Sequence, residues 1–334
     1  MAARSDETHS WIRTLSVETA LTDVHMEQVC TLLSLSTALQ SISLVYSVLT
    51  RSPLSGRPYL LSATAQNSQT SLQHLRLACN NFELEFMDLG EIVQAINAFT
   101  YLSSLTMFSG VDWSPAASLV LPNLTALTWT TSFAAQRGAD YNFLARCQFS
   151  ALATVELLAP PAVEAPPPGA LLAFLAVNPS ITALSVVLMP AEWDSLYTVL
   201  PALLHLNVHH SPLSAELAAT MPHSLLSLVI AIDMIEPAGL WAFLEGLATK
   251  STGLKELGVR AQDRLAFEWS SAWLLKDDRG RMATFGSLAA YSLRLAARGI
   301  GLLDQRGHTL MAWPPLSLEQ VTGPVVPSLP PVED

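Results

Sequence analysis

His205, Asn207 and His209 alternate along one short stretch, with His210 and His223 close behind, and they form the richest group of metal-ligating and acid–base side chains in the sequence. Imidazoles bind zinc, so a shared ion is the first chemistry to test. Residues four apart on a strand lie about 13 Å apart at roughly 3.3 Å per residue, too far to share an ion whose bonds are near 2.1 Å. The alternation therefore reads as a polar binding surface.

Other chemical motifs are incomplete. His25-Met26-Glu27 has the H-x-E opening of a zinc deaminase, but no P-C-x-x-C follows, and it reads as a helix exterior. Gly299-Ile300-Gly301 carries two glycines of a dinucleotide loop, with Asp304 in place of the third, and it follows a helical stretch where that loop follows a strand. The chain has no G-x-S-x-G elbow, no P-loop and no H-E-x-x-H. No catalytic residue, metal ligand or cofactor is assigned. An enzyme whose site is assembled from distant residues stays as the alternative.

Composition narrows the partners. Half of the residues are hydrophobic and 13% are charged, so the chain must bury an unusually large share of itself or enter a membrane. The best candidate span, Leu171 to Met189, is interrupted by Asn178, Pro179, Ser180 and Thr182, against the roughly 20 uninterrupted apolar residues that a span needs. The N-terminal MAARSDETHSWIRTL has acidic residues where a signal peptide needs an apolar core. A cytoplasmic or nuclear location without membrane contact is expected. Cys30, Cys79 and Cys147 are too scattered for a metal or redox pair. A net charge of −11, with lysine only at Lys250, Lys255 and Lys276, leaves no footprint for nucleic acid.

The elements that must position these side chains repeat. A Leu-x-x-Leu-x-Leu core starts at Ile12, Leu39, Leu72, Leu102, Leu124, Leu152, Ile181, Leu203, Leu225, Leu254 and Leu288, at intervals of roughly 22 to 34 residues. Leu72 to Phe82 completes the longer pattern LxxLxLxxNxL through Asn80, and Leu225 to Ile235 completes it with Asp233. Ser47, Ser211 and Ser132 stand at the same turn elsewhere, where a polar side chain can satisfy backbone groups as the chain leaves its strand. Between the cores the apolar period changes from two to about 3.6, as at Leu240, Phe243, Leu244 and Leu247, at Trp193, Leu196 and Leu200, and at Ile92, Ile96 and Phe99, while Ser214 is placed to cap a helix. Arg51 to Thr70 reads as a polar insertion, Ala159 to Gly169 as a proline-rich loop, and Lys276 to Arg281 as a solvated turn.

The repeats resemble the leucine-rich-repeat region of F-box/leucine-rich-repeat proteins, best at Leu72 to Phe82, over roughly residues 10 to 300. The resemblance implies an α/β solenoid of the ribonuclease-inhibitor-like horseshoe type, with parallel strands on the concave face and helices on the convex face. It also implies a protein partner held by the repeats, as in substrate receptors of ubiquitin ligases; a non-catalytic scaffold unrelated to those ligases is the alternative within the same class. No F-box is recognisable before Ile12, so the ligase adaptor is not expected to dock on this chain. The expected organisation is a short segment 1–11, a solenoid of about ten irregular repeats over 12–300, and an extension over 301–334 ending in a proline-rich, disordered tail.

In that geometry the leucines of each core point inward and the residues between them point into the horseshoe. The expected partner-binding residues are His74, Arg76, Phe108, Thr128, Thr130, Glu156, His205, Asn207, His209, Glu256 and Arg260, with Thr106, Ser185 and Val187 in the same rows. Their mixed polarity suits a protein partner.

Overall fold

The computed structural model describes residues 12–17, 28–29, 31–33, 35–46, 60–79, 89–109, 117–131, 137–158, 169–187, 193–209, 213–234, 237, 239–250, 252–261, 267–270 and 279–310. Outside them lie the turn residues Ser47, Asn80, Ser132 and Ser211, the deaminase-like His25 to Glu27, the proline-rich loop up to residue 168 and the tail beyond residue 310.

Eleven strands form one parallel sheet in strict chain order. They are β1 (Thr14–Val17), β2 (Ser41–Tyr46), β3 (His74–Cys79), β4 (Ser104–Ser109), β5 (Ala126–Thr131), β6 (Thr154–Leu158), β7 (Ala183–Val187), β8 (His205–His209), β9 (Ser227–Ile232), β10 (Glu256–Ala261) and β11 (Gly301–Leu303). The described helices between them are α1 (Leu60–Ser68), α2 (Leu89–Asn97), α3 (Arg137–Leu144), α4 (Ala170–Ala176), α5 (Trp193–Val199), α6 (Ala215–Thr220), α7 (Leu240–Thr249) and α8 (Arg279–Ala296). Parallel neighbours need a crossover, and the described helices lie in the crossovers from β2 to β4 and from β5 to β11, where they bury apolar residues against the sheet.

The repeated leucines set the register. Each of the first ten cores begins two residues before its strand, so its second apolar position falls in one row across the sheet. Leu75 pairs with Leu105, Leu105 with Leu127, Leu127 with Val155, Leu184 with Leu206, and Leu206 with Leu228. Each of these side chains is at most 2% exposed. The third apolar position forms a parallel row that includes Leu77, Met107, Trp129, Leu157, Val186 and Ile230. Leu240, Phe243, Leu244 and Leu247 of α7 join the same continuous core, and so do Leu196 and Leu200 at α5 and Ile96 and Phe99 at α2. Trp129 substitutes for an aliphatic residue and packs on Phe143 of α3 at 5.8 Å between ring centres.

Backbone groups at the strand entrances are shared between repeats. The Gln73 carbonyl accepts from the amides of both Ser103 and Ser104, and the Thr125 carbonyl accepts from those of Ala153 and Thr154. Hydroxyls reinforce the junction: Ser103 Oγ donates to the Gln73 carbonyl and Thr125 Oγ1 to the Ser103 carbonyl, each at 3.0 Å. Asn97 spans the next repeat by donating to the Ser118 carbonyl and accepting from the Val120 amide. Side-chain partners for backbone groups thus stand where the chain enters its strands.

Three local expectations change. Leu288 is not the start of a strand: it lies in α8, where Leu288, Ser292 and Leu295 form the buried stripe and Leu293 is 55% exposed. The eleventh strand is Gly301–Leu303, with Leu302 opposite Leu257. Leu60 to Ser68, inside the expected polar insertion, is helical, and it buries Leu61, Thr64, Ala65 and Ser68. Arg281, expected on a solvated turn, is a buried residue of α8.

The last repeat is closed by a polar turn over an aromatic cluster. Phe267, Trp269 and Phe285 meet edge to face. Asp304, buried, accepts from the amides of Trp269, Arg306 and His308, and Trp269 Nε1 donates to the His308 carbonyl. Gly299-Ile300-Gly301 is the joint between α8 and β11.

Candidate functional site

One face of the sheet carries the apolar rows and the helices; the other carries the alternating residues. Along β3 to β10, every second residue faces this open side, and the register brings distant residues into lines. Thr128 pairs with Glu156, Glu156 with Ser185, and Ser185 with Asn207, so four polar residues from four repeats adjoin. His205 is opposite Ala183 and His209 opposite Val187.

Ser185 is the hub of this line. Asn207 Nδ2 donates to Ser185 Oγ at 3.0 Å, and Ser185 Oγ lies 3.0 Å from His209 Nε2. With one lone pair of the serine oxygen engaged by the amide, the tautomer of His209 sets the direction of the second bond: Ser185 Oγ donates where the imidazole proton is on Nδ1 and accepts where it is on Nε2. Thr128 Oγ1 donates to Glu156 Oε2 at 3.3 Å. Leu158 in β6 and Val187 in β7 stand half-exposed beside these polar groups.

The expected binding residues are dispersed along the sheet. Thr128, Thr130, Glu156, His205, Asn207 and His209 lie in its middle repeats, on β5, β6 and β8, whereas His74 and Arg76 are on β3 and Glu256 and Arg260 on β10. His74, Arg76, His205, Glu256 and Arg260 are exposed; Thr128, Thr130, Glu156, Asn207 and His209 are half-buried. Phe108 belongs to β4, and its side chain lies outside the described residues. Ser185 stands among the alternating residues by spacing alone, but its place at the centre of a network follows from the β7–β8 register.

Among the described residues, no three His, Cys, Asp or Glu side chains are grouped to hold a metal ion, and no helix is long and apolar enough to cross a membrane. Cys147 is buried, with Sγ accepting from the Leu119 amide and donating to the Phe143 carbonyl. Burial pushes its thiol up to about 12, so it is a packed thiol without nucleophilic character.

No protein-family model and no curated protein matches the sequence. Among solved structures, the fold is similar to that of the leucine-rich repeat-containing protein LegL7 from Legionella pneumophila, with a TM-score of 0.50 and 17% identity, covering 94% of this chain and 100% of that one. The sheet order and this likeness together make the chain a leucine-rich-repeat solenoid.

Proposed function

We propose that this solenoid binds a protein partner on its open strand face, centred on β5 to β8. The observation that carries the reading is the line Thr128, Glu156, Ser185, Asn207 and His209, which spans four strands with side chains ordered by hydrogen bonds while remaining partly open to solvent. Ordered side chains lose little further entropy on binding. Leu158 and Val187 add apolar area beside them, the mixture found at protein interfaces.

The 3.0 Å Ser185–His209 distance is also that of a nucleophile and its base. Acyl transfer further requires N–H donors aimed at the developing oxyanion. The parallel ladders joining β6 to β9 use the backbone N–H groups within the sheet plane. Binding therefore accounts for this arrangement better than catalysis.

The test changes His205, Asn207 and His209 together to alanine. Partner capture from cell extract should weaken, while the fold is retained: His205 is exposed, and loss of the two half-buried hydrogen bonds to Ser185 costs about 1 kcal/mol each. Hydrogen exchange on the captured complex should show protection of β5 to β8. Protection confined to the helices would move the function to the other side. A substrate-holding role beside a ubiquitin ligase is a narrower form of this reading, supported by the resemblance of the repeats. A pull-down with purified ligase adaptor tests that narrower form: stoichiometric, salt-resistant retention supports it, and no retention leaves the broader reading alone.

A further inference from the structure

We propose that the open face selects a protein segment bearing a basic side chain, arginine or lysine, which pairs with Glu156 while its aliphatic stem lies over Leu158 and Val187. This deepens the reading of the face as a protein-binding site and rests on it.

Apart from the imidazoles of His205 and His209 on β8, Glu156 is the sole ionisable residue facing the open side among the described residues of β4 to β9. The cations described on that face are Arg76 on β3 and Arg260 on β10, about 14 Å and about 19 Å from β6 at roughly 4.8 Å per strand. Its described partner is neutral, the Thr128 hydroxyl, at 3.3 Å. A hydroxyl committed to a carboxylate approaches to about 2.5–2.7 Å, so the Thr128 bond is loose and leaves acceptor capacity on both oxygens. The neighbours supply no compensation: Thr154, Ala126, Ala183 and Ser185 are small and uncharged. The chain's net charge of −11 adds attraction for a cation approaching from solution.

The surroundings also fit the rest of such a residue. Leu158 lies two residues along β6 from Glu156, on the same face, and Val187 lies two along β7 from Ser185, the register partner of Glu156. Long basic side chains cover apolar surface with their methylenes and place their charge beyond it. On the other flank, Asn207 spends its Nδ2 on Ser185, which leaves its carbonyl oxygen to accept a backbone N–H from the same segment.

The experiment selects random twelve-residue peptides displayed on phage against the full chain, then measures affinity of the selected peptides for the native protein, for Glu156→Gln and for His205→Ala. Hydrogen exchange locates each peptide. The expected result is enrichment of arginine or lysine, protection of β5 to β8, salt-sensitive binding, and a loss of about tenfold or more with Glu156→Gln that replacement of the peptide's basic residue by citrulline or norleucine reproduces. Peptides that protect β5 to β8 but lack basic residues, or bind Glu156→Gln as well as the native chain, would overturn the cation anchor and leave the open-face reading standing. Peptides that protect only the helices, or a selection that yields no binder, would overturn both. Unchanged thermal melting of Glu156→Gln separates lost pairing from lost fold.

Discussion

Arg294 of α8 and Glu245 of α7 meet as a two-pronged pair, Nη1 to Oε2 and Nη2 to Oε1, both at 2.7 Å. Tyr291 donates to the same carboxylate at 3.1 Å and stacks on Trp241. The last long helix is thereby fastened to the one before it from outside the core. Hydrogen bonds from Arg294, and then from Tyr291, hold the Glu245 carboxyl below the usual carboxylate range. A depressed acid contributes stability above its unfolded value, about 4.3 for Glu, and loses it as pH falls through the lower folded value. Hydrogen exchange in α8 should accelerate relative to α6 over that acidic window, and Glu245→Gln should remove the difference between the two helices.

Leu228 is fully buried, between Leu206 and Leu257 in the central row. Leu228→Asp removes that packing and leaves a carboxylate with no partner, at a cost of several kcal/mol. Circular dichroism and limited proteolysis should show loss of structure in at least the β8 to β10 repeats. Native-like helicity and protease resistance in this variant would disprove the register.

Gly239 precedes α7 with φ +73, and a Cβ there would lie 1.8 Å from the Leu213 carbonyl oxygen. Gly239→Ala carries both left-handed strain and a backbone clash, and it should cost more than about 1 kcal/mol. Denaturant midpoints give the measurement; a change below a few tenths would mean that α7 is free to shift away from Leu213.

Cys147 should resist alkylation in the native state at pH 8, where its raised thiol stays protonated and covered. Peptide-level mass spectrometry after brief iodoacetamide treatment should find it unmodified, then fully modified in denaturant. Rapid native labelling would show that the α3 end opens at little cost.

Much of this was legible because a parallel row needs the same apolar position in every repeat, and Leu75, Leu105, Leu127 and Leu206 supply it at matching offsets. Ser214 likewise caps α6 through the Leu217 amide, as its position foretold. Leu288 misled because Leu288, Tyr291 and Leu293 meet the strand pattern by coincidence of a helical stripe, while the real last strand is three residues long and lacks the motif. Side-chain orientation on the open face follows from alternation. Ser185 as a hub does not, since its partners are 22 and 24 residues away and meet it only through register. The aromatic closure under Asp304 was invisible for a similar reason: its three rings come from two segments with no periodic signal.

A ladder of like repeats has no inherent length, since each one offers its successor the surface that it received. Among the described residues, the Asp304 turn breaks that likeness: it directs its amides to one carboxylate and folds back so that Leu303 bridges to Thr309 in the antiparallel sense. The outer side of β11 therefore meets a neighbour of opposite polarity at Leu303, and the edge that a parallel strand would extend is covered there by the chain's own turn.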